Sequence, residues 1–134
     1  MTIFTRIIAG EIPSYKIYEN DRVFVFLDIN QYQKGKTLVV SKTEVDHFFD
    51  LDPLDYHAMC ETARVLAPIL QKVFQSKRVW LVIEWLEVPH VHIKLIPIDV
   101  SWDIGDEHIQ TLSSEEMLDI QQRIVDALPS YLSI

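Results

Sequence analysis

The chain has 134 residues, 49% hydrophobic and 24% charged, the balance of a folded globular protein long enough for a real core. A formal charge of -8 argues against a long nucleic acid, which needs a basic footprint, and leaves small phosphates open where positive charge is gathered locally. Cys60 is the only cysteine, no apolar run approaches a membrane span of roughly 20 residues, and the N-terminus lacks a signal-peptide pattern. These readings predict a cytoplasmic chain with no disulfide and no membrane.

IFTRIIAGEIP, residues 3–13, predicts a short helix stopped by Gly10 and Pro13. YKIYEN and RVFVFLDI, rich in aromatic and β-branched residues, predict a hairpin turning at Asn20 and Asp21. A polar connection, QYQKGK, leads to a third strand, TLVVSK. Residues 50–75 carry the clearest helix start, with Asp52 as cap, Pro53 at the first helical position and Asp55 in the first turn. Met59, Ala63, Leu66 and Leu70 give that helix an apolar face, Cys60 reads as a packed thiol, and Pro68 predicts a kink or a local loss of hydrogen bonding. RVWLVIEWLEV, residues 78–88, is so apolar that it predicts a strand covered on both faces. Leu112, Ser113, Glu116 and Met117 form a capping box with a hydrophobic staple, opening a last helix to about Leu128 before Pro129. The sum is an α+β protein of one domain over residues 1–134, mostly antiparallel, with one long central helix and a C-terminal helix.

The chemistry concentrates in EVPHVHIKLI, residues 87–96. Strand side chains alternate faces, so His90, His92 and Lys94 share one face while Val91, Ile93 and Leu95 share the other. Neutral imidazole attacks phosphorus, and a lysine two residues on supplies fixed charge for phosphate oxygens. The face therefore reads as one built to meet an anion and attack it. A half-exposed strand with polar positions is the plainer alternative. Zinc is a further one, but His47, His57 and His108 lie at no metal-like spacing, so no metal and no cofactor are expected.

At this strand the sequence resembles the histidine-triad (HIT) family of nucleotide hydrolases and transferases. The family signature alternates three histidines with aliphatic residues and stands here as HVHIKLI. IFTRIIAGEIPSYKIYENDRVFVFLDI and KGKTLVVSK resemble the family's N-terminal half in order and spacing. The resemblance implies that Phe4, Ile7, Phe26 and Ile29 contact a nucleoside and that Asp28 binds the ribose hydroxyls, a carboxylate being a strong acceptor for two vicinal donors. It assigns His92 as the nucleophile that forms a covalent nucleotidyl intermediate, with His90 at the first triad position. It also implies a small purine nucleotide as partner, and a homodimer built on the long helix and a neighbouring strand.

The phosphate end departs from the family pattern. Lys94 replaces the third histidine, Lys36 stands where many members have a fourth, Trp80 and Trp85 stand at usual glycines, and Gln31 replaces a proline. Two lysines predict phosphate binding and, by repulsion, an unprotonated His92. A charged lysine cannot accept a proton and is a poor acid for a leaving group. Glu84 and Glu87 flank Trp85; facing Lys94 or Lys36, either would neutralise charge meant for phosphate, although solvation at an edge is their ordinary fate. Trp102 falls in a loop-like stretch that would lie over a site or at a subunit interface. Three readings remain: an enzyme acting at the α-phosphate of nucleotides or nucleoside phosphoramidates, a binding protein without turnover, and a dimeric interaction protein with a filled pocket.

Overall fold

The structure, a computed structural model, describes residues 1–84, 86–100 and 105–132. Trp85 and Trp102 lie outside the described residues. The elements are helix α1 (Ile3–Ile8), strands β1 (Lys16–Glu19), β2 (Val23–Leu27) and β3 (Thr37–Ser41), helix α2 (Pro53–Phe74), strands β4 (Arg78–Ile83) and β5 (His92–Ile98), and helix α3 (Ser114–Ala127). The five strands form one sheet in the order β1-β2-β3-β5-β4. Every neighbouring pair is antiparallel.

The sheet divides the molecule into two apolar layers. Val23, Val25, Leu27, Val39, Ile93 and Leu95 pack under α2 and α3, against Met59, Leu66, Leu70, Ile120 and Ile124. On the other face Phe24, Phe26, Leu38 and Val40 meet the short α1 through Phe4 and Ile7, with Ile12 and Val88 packed alongside. Register assigns the reactive row to this second face, since Val40 is opposite His92 and Leu38 opposite Lys94. One short helix cannot cover a whole sheet face, and the polar residues gather beside and beneath it.

Local signals explain the element ends. Thr2 caps α1 by accepting from the Thr5 amide, and Gly10 takes the positive φ of +81° that turns the chain away. Asp52 caps α2, and Ser113 with Glu116 closes a reciprocal capping box on α3. Helix α2 runs on through Pro68 as one element. The bond lost at the proline is offset by the burial of Leu66 and Leu70 on either side of it.

β4 differs most from expectation. It stops at Ile83 and none of its residues is fully buried, Leu81 being 53% exposed. The cause is position: β4 is an edge strand paired only with β5, so its apolar side chains are not sandwiched. Trp80 pairs with Ile96 and Val82 with Lys94, which puts Trp80 on the reactive face but two positions along from Lys94. No helix among the described residues is long and apolar enough to cross a membrane.

Candidate active site

His92 opens β5 with its side chain 3% exposed and its ring edge-on to Phe4, 4.9 Å between centroids. Its Nδ1 lies 2.7 Å from the His90 carbonyl oxygen. A carbonyl only accepts, so Nδ1 carries the proton and Nε2 keeps a lone pair. Burial holds the imidazole below its ordinary pKa, with the Lys94 charge acting the same way, against the His90 hydrogen bond and Glu84. The unprotonated state expected from two lysines is thus favoured mainly by desolvation. A lowered pKa favours the neutral ring at pH 7, with Nε2 unprotonated.

His90 lies just before the strand and is fully buried. Its Nε2, 2.6 Å from the Ser41 carbonyl, donates, and its Nδ1 is hydrogen-bonded to the Thr2 hydroxyl at 2.6 Å. Thr2 in turn donates its amide to Glu44 at 2.6 Å, and the Thr5 hydroxyl donates to the same carboxylate. The cap of α1 and the first triad position are one network. His90 stands behind His92 and is not among the residues lining the cavity.

Lys94 and Lys36 are both already paired. Lys94 Nζ sits 2.6 Å from Glu84 Oε1, and that hydrogen bond draws the Glu84 carboxyl below its ordinary pKa. The same oxygen is 4.0 Å from His92 Nε2. Lys36 is buried, 2.9 Å from Asp28 Oδ2 and 4.5 Å above the centre of the Tyr32 ring. Gln31 holds this corner. Its amide donates to the Asp28 and Lys36 carbonyls and accepts from the Gly35 and Lys36 amides, all within 3.1 Å.

Two cavities meet over these residues. One, of about 210 Å³, is apolar and is lined by Phe4, Ile7, Phe26, Asp28, Ile29 and Leu38 among others. The other, of about 160 Å³, is lined by Phe4, Asp28, Glu84, Glu87, His92 and Lys94 among others. Phe4 and Asp28 belong to both, so an apolar chamber adjoins a polar one across a carboxylate. All five positions expected to contact a nucleoside, Phe4, Ile7, Phe26, Asp28 and Ile29, line the first chamber. His92 and Lys94 line the second, whereas Lys36 touches this arrangement through Asp28. Among the described residues no three His, Cys, Asp or Glu side chains cluster as metal ligands would.

Sequence reasoning missed Thr2, Glu44 and the role of Gln31. A threonine before an apolar helical run is a legible cap, but nothing local announces its bond to His90, 88 residues away.

Residues 9–100 match the HIT domain, and the chain belongs to the HIT, or histidine-triad, family. It is 46% identical over 68 residues to Protein hit of Bacillus subtilis, a match covering 48% of this chain and 47% of that protein. Adenylylsulfatase HINT3 of Arabidopsis thaliana is 28% identical over 100 residues, covering 71% of this chain and 51% of that one. The chain thus spans about half the length of these two curated relatives. The crystal structure of a Hit-like protein involved in cell-cycle regulation from Bartonella henselae superposes with a TM-score of 0.83 at 26% identity, over 95% of this chain and 96% of that one.

Proposed function

We propose that the chain binds a purine nucleotide or nucleoside phosphoramidate and transfers its nucleotidyl group through His92, as a hydrolase or transferase. The observation that carries this reading is the tautomer of His92. With Nδ1 committed to the His90 carbonyl, the Nε2 lone pair is available beside a cavity that also holds Lys94. The apolar chamber would take the base, Asp28 the ribose hydroxyls, and the polar chamber the α-phosphate. In the first step the Nε2–P bond forms as the bond to the leaving group breaks. Water or another acceptor then attacks phosphorus and releases His92. His90 positions the nucleophile through its carbonyl, and Lys94 and Lys36 are the candidate phosphate contacts. A relative named for adenylyl chemistry, the adenylylsulfatase, supports the same bond class. The exposed edge strand β4, with Leu81 half out, suits a second copy of the chain as partner.

A second reading is a nucleoside-binding protein without turnover. It is favoured by the pairing of Lys94 with Glu84 and of Lys36 with Asp28, which leaves neither lysine free for phosphate. A single-turnover assay separates the two, using adenosine 5′-phosphoramidate with protein in excess and His92→Ala in parallel. AMP release and an adenylylated intact mass, both lost in His92→Ala, are expected. Binding with neither product nor adduct would move the assignment to the second reading.

A further inference from the structure

Glu84 stands beside the reacting atoms, and nothing in the proposed reaction uses it. Its Oε1 is 4.0 Å from His92 Nε2 and 2.6 Å from Lys94 Nζ, with the side chain 28% exposed. A phosphorus poised for attack, about 3 Å from Nε2, would have this carboxylate as a near neighbour. The wall as a whole keeps a surplus of negative charge. Lys94 is the one lysine among the residues lining the cavity and is already matched by Glu84, Asp28 is matched by Lys36, and Glu87 adds a further carboxylate to the wall. The place where a leaving group would emerge is acidic.

Building on the nucleotidyl-transfer reading above, we propose that Glu84 is a specificity-determining residue. It selects substrates whose leaving group is an amine over those whose leaving group is an anion such as sulfate or phosphate. A phosphoramidate nitrogen leaves readily once protonated, and that cation is what a carboxylate stabilises by charge and by accepting its N–H. The nitrogen takes a proton from solvent, the Nε2–P bond forms, the P–N bond breaks with its electron pair passing to nitrogen, and the amine departs neutral, carrying that proton. An anionic leaving group instead gathers negative charge on the bridging oxygen, beside the same carboxylate. Lys94, held by Glu84, is not free to meet it.

The test compares adenosine 5′-phosphoramidate with adenylyl sulfate in single turnover, for the unaltered protein and for Glu84→Gln, which keeps the shape and removes the charge. The phosphoramidate rate should fall and the sulfate rate rise as Lys94 is released, moving their ratio by at least about tenfold. A merely structural role would lower both rates together, and an unmoved ratio overturns the proposal. Should the unaltered protein turn over neither compound, the transfer reading fails by itself. The charge preference is then read from calorimetric titration with adenosine and AMP. Glu84→Gln should shift relative affinity toward AMP by at least about tenfold, and no shift overturns the proposal.

Discussion

Replacing Gln31 with leucine would remove the internal support of the loop between β2 and β3. The side chain is fully buried, and its amide makes four hydrogen bonds to the loop's own backbone: 2.5 Å to the Asp28 carbonyl, 3.0 Å to the Lys36 carbonyl, 2.8 Å from the Gly35 amide and 3.1 Å from the Lys36 amide. Leucine is close in size, so the loss is polar rather than a cavity. Two N–H groups lose their acceptor, while the Lys36 carbonyl keeps the Asp28 amide as a donor. At roughly 1–3 kcal/mol for each buried group left unpaired, with partial relief as the loop relaxes, the cost should be about 3 kcal/mol. Urea unfolding followed by tryptophan fluorescence would read this as a midpoint lowered by about 1.5 M, for a slope of about 2 kcal/mol/M. A loss under about 1 kcal/mol would mean that the four bonds are replaceable by water and that the loop is held from elsewhere.

Three further outcomes are expected. Gly35→Ala places a Cβ 2.6 Å from the Phe74 ring at a φ of +108°, so a loss of about 2 kcal/mol or more should appear in the thermal midpoint, and an unchanged midpoint would refute it. Thr2→Ala removes both the α1 cap and the hydroxyl at His90 Nδ1, for a loss of about 2 kcal/mol by denaturant titration that Thr2→Ser should largely restore; equal losses in the two variants would disprove the hydroxyl's role. Burial pushes the His92 pKa down, so the unfolded chain binds its proton first as pH falls, and this residue's contribution to stability declines from about pH 6.5 downward through the depressed folded value. Long-range ¹H–¹⁵N spectra should display the Nδ1-protonated tautomer, and an Nε2-protonated ring or a raised pKa would contradict the assignment.

Much of this arrangement could be read from residue order because the signals are local. The caps at Asp52 and Ser113 act within a turn of their helices, and the alternation of His92, Ile93, Lys94 and Leu95 needs only strand periodicity to separate a reactive face from a core face. What escaped depends on distant partners. The apolar run 78–88 gives no sign that β4 lies at an edge, because burial on both faces and exposure at a rim can share a composition. A glutamate beside a strand is usually solvated, and only the pairing of β4 with β5 brings Glu84 onto Lys94. Gln31 carries no signature at all, since its four partners are backbone atoms that the folded loop itself assembles.

Because Lys94 and Lys36 each arrive with an acid of their own, in a chain of net charge -8, the site projects little positive field into solvent. A nucleotide dianion would drift toward it against the protein's long-range potential. Screening shortens that potential to about 8 Å at physiological ionic strength. Added salt, which slows electrostatically guided encounters, should here quicken the association of AMP in stopped-flow mixing.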